Sequence, residues 1–346
     1  MENETFWELV RFAKFSKPQE PAPQALEALL ESKCLPDEIR NLLPIIYQNI
    51  YTTGIAESAP EALLTQLQQQ TLRTISSVQV NKAWLKRFAK KLSHIGESAI
   101  LLKGAAFNGW LYSDNAPRGA VDVDILVKPT AFDSVCNLML NTHEAHVADE
   151  KRMVTHAQLF ERAFLPKHTL SPVVEVHKNL TNPYIFNIPV EKLWETTIAH
   201  PGMGEPQLRV LSPEHNILNL VVHAVRDGTF DSHSLIDAYE LITQQEINWD
   251  YLEREAELWG CSKALVVFFT RLHQRLQTSP PPLLGTTELA TLKQSTKFNS
   301  PNHSRIEQLR WQFKMADRKS SVLRFHLDYL RMRMGDFLLS KKAFFR

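Results

Sequence analysis

The chain has 346 residues, 44% of them hydrophobic and 22% charged, with a formal net charge of +1. These proportions fit an ordinary globular protein with length for two or three domains, and they exclude a disordered or fibrous chain. Lys plus Arg number 39 against 38 Asp plus Glu, so no global field draws the chain to nucleic acid or to an anionic membrane. Cys34, Cys136 and Cys261 are odd in number and far apart, which fits neither a disulfide framework nor a metal-ligand spacing. No apolar run approaches the roughly 18 residues of a membrane span, and Met-Glu-Asn-Glu-Thr-Phe-Trp is no signal peptide. The expectation is a soluble cytoplasmic protein with no membrane partner.

Residues 1–97 read as an N-terminal helical region. Phe6, Leu9, Val10 and Ala13 recur at helical spacing before Pro18, Pro21 and Pro23 break the pattern. A helix from Gln24 to Glu31 follows, then another through Ile39, Leu42, Leu43 and Ile46. The longest candidate covers 60–95, where Leu63, Leu67, Leu72, Ile75, Val78, Leu85, Phe88 and Leu92 keep a helical period through the Gln-rich Gln66–Gln70. Near Gly96 the period changes, and short apolar runs alternate with turn residues. Over 98–205 the sequence predicts a strand at Ala99–Lys103, a helix at Ala105–Tyr112, a strand at Val121–Val127 and a helix at Thr130–Leu140. Weaker strands at His143–Asp149 and Leu159–Lys167 precede a well-marked one at Val173–His177. Over 206–346 the chain returns to helix. Ser212-Pro213-Glu214 is a start signal, and helices are expected at Leu235–Gln244, Trp249–Trp259 and Ser262–Gln277. A proline-containing loop is expected over Thr278–Ser304, and a basic helix over Ile306–Phe345. The fold class is therefore α+β, a small mixed sheet flanked by helical regions at both ends.

The chemistry concentrates in Asp122 and Asp124. Two residues apart on an extended segment, they project to one side while Val121, Val123, Ile125 and Val127 face the core. Paired carboxylates on a mostly buried strand are costly without a cation. Mg²⁺ suits oxygen ligands and bridges to phosphates, with Mn²⁺ as its substitute. Glu175 is in phase on a later strand and completes a three-carboxylate cluster if the two strands pair. Lys103-Gly104 ends the first strand and opens a helix, where backbone N–H groups and the Lys charge grip a triphosphate. Arg118 contacts phosphate, neutralises the carboxylates, or makes a structural ion pair. His177 shares the face of Glu175 and either touches the acceptor or a phosphate, or hydrogen-bonds within the fold. His215, His223, His233, Asp227 and Asp237 invite a metal-site reading, but His223 on an apolar helix fits a core histidine better.

The pattern Leu-Leu-Lys103-Gly104-Ala-Ala, Leu-Tyr, Arg118, Asp122-Val-Asp124-Ile-Leu-Val and Val-Glu175-Val-His177 resembles the uncharacterised bacterial nucleotidyltransferase family of the DNA polymerase β superfamily. The resemblance covers about 98–180 well and Ser212 to about Ile242 loosely. It implies Mg²⁺-dependent transfer of a nucleoside monophosphate from a nucleoside triphosphate such as ATP to an acceptor: a small molecule, a protein or an RNA. Asp122, Asp124 and Glu175 would then be catalytic and hold metal, with Lys103, Gly104, Arg118 and His177 binding substrate. One departure is that Ala120-Val121 stands where the family usually has a Ser before the first Asp. Two other classes remain open: a toxin–antitoxin-like or regulatory enzyme acting on tRNA or a protein through the basic tail (Arg324, Arg331, Arg333, Lys341, Lys342, Arg346), and a non-catalytic binding protein with a relic core.

Overall fold

The computed structural model describes residues 4–31, 35–120, 122–145, 160–168, 171–181, 185–280, 282, 305–318, 320, 323 and 327. Four helices come first: α1 (Glu4–Phe12), α2 (Pro23–Glu31), α3 (Asp37–Thr52) and α4 (Glu61–His94). The last of these is unbroken through the Gln-rich segment, with Leu63, Leu67, Val78, Leu85, Phe88 and Leu92 buried along one side. The segment after α1 is tied to both α3 and the C-terminal helices. Asn49 donates to the carbonyls of Phe12 and Lys14 at 2.6 and 3.0 Å, and the buried Glu240 carboxylate accepts from the N–H groups of Phe15 and Ser16.

The middle of the chain builds one mixed sheet from β1 (Ala99–Leu101), β2 (Asp122–Leu126), β3 (His143–Ala145), β4 (Glu161–Pro166), β5 (Val173–His177), β6 (Ile198–Ala199) and β7 (Leu208–Val210). Its order is β3-β4-β5-β2-β1-β7-β6. Strand β2 lies parallel to β5 and antiparallel to β1, and β4 runs antiparallel to β5. Val123 pairs with Val174 and Ile125 with Val176, and all four are fully buried on one face. The alternate residues therefore share the opposite face.

Three expected elements differ. The first strand stops at Leu101, and Lys103 already opens the short helix α5 (Lys103–Phe107) with a backbone φ of 49°. That helix ends at Phe107, not Tyr112, because Gly109 turns the chain at φ 82° and the N–H groups of Trp110, Leu111 and Tyr112 all bond to the Phe107 carbonyl. The helix α6 (Phe132–Met139) starts after a single 3₁₀ turn at Pro129–Ala131. Val121, residues 146–149 of the weaker strand and Leu159 lie outside the described residues.

Helices α7 (Val190–Leu193), α8 (Pro213–Asp227), α9 (Ser232–Gln244), α10 (Trp249–Trp259) and α11 (Ser262–Leu276) follow. Ser212 caps α8 by accepting from the His215 N–H at 3.2 Å, and Gly228 ends it in the left-handed conformation that favours glycine. The C-terminal helix α12 (Arg305–Met315) is interrupted where a longer helix was expected. The cause is Asp317, whose carboxylate accepts from the N–H groups of Ser262 and Lys263 and so caps α11. Most of the expected loop over 278–304, Cys34 and the basic residues from Arg324 onward lie outside the described residues. No described helix is long and apolar enough to cross a membrane.

Candidate active site

The polar face of the sheet spans three adjacent strands. Asp124 on β2 lies opposite Glu175 on β5, and Glu161 on β4 lies opposite His177 on β5. Asp122 stands two residues before Asp124 on the same face. Side chains of period two on paired strands meet in this way without any loop having to position them. Donor atoms of Asp124, Glu175 and His177 all lie within 4.8 Å of one another. His177 therefore joins the cluster directly.

Two cations hold Asp124. Lys103 Nζ is 3.1 Å from its Oδ2, and His177 Nε2 is 3.0 Å from its Oδ1. Burial alone would raise the Asp124 carboxyl, but these partners override it and keep the group well below the usual carboxylate range. Burial likewise opposes charge on His177, yet its hydrogen bonds to Asp124 and Glu175 lift it to about 9. Glu161 Oε2 makes a charge contact with its other ring nitrogen at 3.3 Å. For Asp122 the Lys103 charge is only a partial offset. Burial first, and the Asp124 charge second, raise it to about 6. A carboxylate crowded in this way gains from a cation, and hard oxygen donors on one face fit Mg²⁺.

Lys103 owes its place to the left-handed turn between β1 and α5, which aims Nζ across at Asp124. Gly104 beside it packs so closely that an added Cβ would lie 2.7 Å from Arg118 Nη1 and 2.8 Å from Ala120 Cβ. Arg118 makes its ion pair with a carboxylate of α9. Its Nε is 3.0 Å from Oδ1 of Asp237, which also accepts from the Tyr112 hydroxyl at 2.8 Å. The arrangement is the structural ion pair among the three alternatives open for Arg118. Asp237 is fully buried, and burial raises its carboxyl to about 6.

Helix α8 supplies Arg226, which sequence reasoning did not single out, beside His223 and Asp227. Arg226 bridges Glu161 at 3.4 Å and Asp227 at 2.8 Å, and His223 bonds to Asp227 at 3.1 Å. The pair at positions 223 and 227 is visible as a four-residue helical spacing, but Glu161 carries a signal only once β4 is in register with β5. The other two histidines named from the sequence make structural contacts. His215 stacks on Trp259 and contacts Thr196, while His233 Nε2 donates to the Glu38 carbonyl at 2.9 Å.

Comparison with solved structures finds an antigenic nucleotidyltransferase-like protein from Paracoccidioides brasiliensis, at 16% identity and a TM-score of 0.36, covering 62% of this chain and 91% of that one. Comparison with curated proteins returns no match. The model of the family described as uncharacterised nucleotidyltransferase matches residues 39–277, which span α3 through α11 and include every residue of the polar cluster. The chain belongs to this family and is a nucleotidyltransferase.

Proposed function

We propose that the protein transfers a nucleoside monophosphate from a nucleoside triphosphate to an acceptor hydroxyl, with Mg²⁺ as the ion and Mn²⁺ as its substitute, and that it belongs to the DNA polymerase β superfamily. The observation that carries this reading is the register of Asp124 opposite Glu175, with Asp122 on the same face two residues earlier. Asp122, Asp124 and Glu175 are the residues that would hold the ion. When bound, it would lower the pKa of the attacking hydroxyl and stabilise charge on the phosphates.

The chain's own groups do the rest. Lys103 supplies a movable ammonium for the triphosphate, and the N–H groups opening α5 lie next to it. Arg118, engaged by Asp237, holds Gly104 and Ala120 in place from behind. His177 fixes Asp124 through one oxygen, leaving the other to Lys103. In the transfer, the acceptor hydroxyl gives its proton to a carboxylate of the cluster or to water, its oxygen bonds to the α-phosphorus as the bond to pyrophosphate breaks, and pyrophosphate leaves with the electron pair. Buried free thiols at Cys136 and Cys261 favour a reducing cytoplasm.

The test incubates the protein with α-labelled ATP, CTP, GTP and UTP, Mg²⁺, and pools of RNA, protein and small metabolites, following label transfer and pyrophosphate release. Asp122→Ala combined with Asp124→Ala abolishes both. Unchanged transfer in that double variant sinks the reading.

A further inference from the structure

Glu161 is the carboxylate of the polar face that sequence reasoning left out, and its neighbours give it a place in the site. It opens β4 opposite His177 in the register of β4 and β5. Its Oε2 lies 3.3 Å from His177 Nδ1 and 3.4 Å from Arg226 Nη1. On its other side the ring reaches Asp124 Oδ1 at 3.0 Å and Glu175 Oε2 at 3.6 Å, both from Nε2. Arg226 is held in turn through Nε by Asp227 at 2.8 Å, whose second oxygen is 3.1 Å from His223 Nδ1. A continuous run of opposite charges, Arg226–Glu161–His177–Asp124, therefore leads from α8 to the middle of β2. It becomes drier inwards. The side chains of Arg226 and Glu161 are 25% and 16% exposed, those of His177 and Asp124 1% and 2%.

Stability alone does not call for this run, because replacing buried ion pairs by apolar side chains of similar volume is often neutral or stabilising. What the run supplies is direction. A buried imidazole held at one nitrogen can swing about that contact, while one held at both nitrogens has a single orientation. With Glu161 at Nδ1, the Nε2–H is aimed at Asp124 and keeps Oδ1 engaged. The other oxygen, Oδ2, is then the one that faces Lys103 at 3.1 Å. Groups that stand behind a metal-ligating side chain set its aim, and the loss of one typically weakens metal binding about 10–100-fold. Here the outermost of those groups belongs to α8, so a helix from beyond the sheet governs a carboxylate at its centre.

We propose that Glu161 and Arg226 are positioning residues of the active site: Arg226 anchors Glu161, Glu161 fixes the His177 ring, and the ring holds Asp124 by Oδ1. The assignment rests on the nucleotidyl-transfer reading, in which Asp124 is an ion ligand, and adds the two residues that set its aim.

The experiment measures Mn²⁺ binding to the full chain by calorimetry, without nucleotide, for wild type, Arg226→Gln, Glu161→Gln and the double variant. Charge alone and positioning give opposite signs at Arg226. Its charge interacts with that of Asp124, so by charge alone the removal of this cation tightens Mn²⁺ binding. The expected result is the reverse: Kd rises about three- to tenfold in Arg226→Gln and at least about tenfold in Glu161→Gln. The double variant binds no more weakly than Glu161→Gln, because both losses break the same run. Arg226→Lys is the second variant should Arg226→Gln fail to fold, with near-UV circular dichroism reporting the fold. It keeps the charge and gives up the planar fork that serves Glu161 and Asp227 together, so Mn²⁺ binding weakens here too. Tighter or unchanged binding in a folded Arg226→Gln or Arg226→Lys overturns the proposal, as do additive effects in the double variant. The ion reading survives those results if Asp122→Ala with Asp124→Ala abolishes Mn²⁺ binding. Absence of Mn²⁺ binding in wild type, or unaltered binding in that double variant, rejects the ion reading and the proposal together.

Discussion

Asp124 and His177 form a buried ion pair, Oδ1 to Nε2 at 3.0 Å, at the centre of the polar sheet face. The pair explains why one carboxylate of the Asp-x-Asp motif stays ionised deep in the protein while its neighbour Asp122 is raised to about 6. His177 at about 9 exceeds its unfolded value of 6.5. Its contribution to stability is thus complete below pH 6.5 and is lost as pH rises through 9, an effect of roughly 3 kcal/mol. In Asp124→Asn the ring loses its main anionic partner. NMR titration of metal-free protein then shows His177 deprotonating at least about one unit lower than in wild type, and the decline of stability between pH 6.5 and 9 flattens. A ring that titrates unchanged in Asp124→Asn would show that Glu161 and Glu175 suffice to hold the proton.

Gly104 has a packing reason to be glycine. An added Cβ meets Arg118 Nη1 and Ala120 Cβ at distances real side chains do not tolerate. Gly104→Ala therefore displaces Arg118 from Asp237, or shifts Ala120 and with it the entry to β2. The expected loss of stability is about 1–3 kcal/mol by chemical denaturation. Transfer activity falls by more than that loss explains, because Asp122 begins two residues after Ala120. The conservative check is Asp237→Asn, which retains the volume and weakens the same anchor. Full activity in both variants would remove Arg118 from any positioning role.

The motif was readable because its physics is local. Alternation over Val121–Val127 and Val173–His177 places Asp122, Asp124, Glu175 and His177 on faces that can be counted from the sequence alone, and a Ser-Pro-Glu start signal locates α8. What was not readable depends on contacts distant in sequence. Arg118 finds Asp237 from 119 positions away, a pairing that no spacing encodes, and Glu161 meets His177 only through strand register. The early end of β1 and start of α5 were hidden for a different reason. Lys103 adopts a backbone conformation that its residue type disfavours, and propensity cannot anticipate a turn that tertiary contacts impose. The same holds for Asp317, whose capping of α11 breaks an otherwise continuous helical pattern.

That left-handed Lys103 gives a clean backbone test. At φ 49° a side chain costs about 1–2 kcal/mol that glycine avoids. Lys103→Ala and Lys103→Gly both delete the ammonium that faces Asp124, so both weaken triphosphate binding to a similar degree. They differ in backbone strain, partly offset by the greater unfolded-state freedom of glycine, and Lys103→Gly is the more stable of the two by about 1 kcal/mol in urea. Equal stabilities would mean that the turn relaxes once the Lys103–Asp124 contact is gone.

His200 provides an acid-side prediction at the other edge of α5. Its Nδ1 accepts from the Gly202 N–H at 3.0 Å, and Gly202 in turn packs against the backbone of Gly109, just past the end of the helix. The ring is 3% exposed, and burial lowers it from 6.5 to about 4. A histidine held neutral in this way contributes stability that is present above pH 6.5 and disappears as pH falls towards 4, on the order of 3 kcal/mol. Protonating Nδ1 would also abolish its acceptor role and free the turn that braces Gly109. Thermal melts of wild type and His200→Asn, taken at half-unit steps from pH 7 to 4, should therefore converge. The variant is less stable at pH 7, and the gap narrows on acidification because only the wild type loses a neutral, hydrogen-bonded ring. Parallel pH profiles in the two proteins would place the acid sensitivity elsewhere, with His223 and His233, both lowered to about 4, as the groups to substitute next.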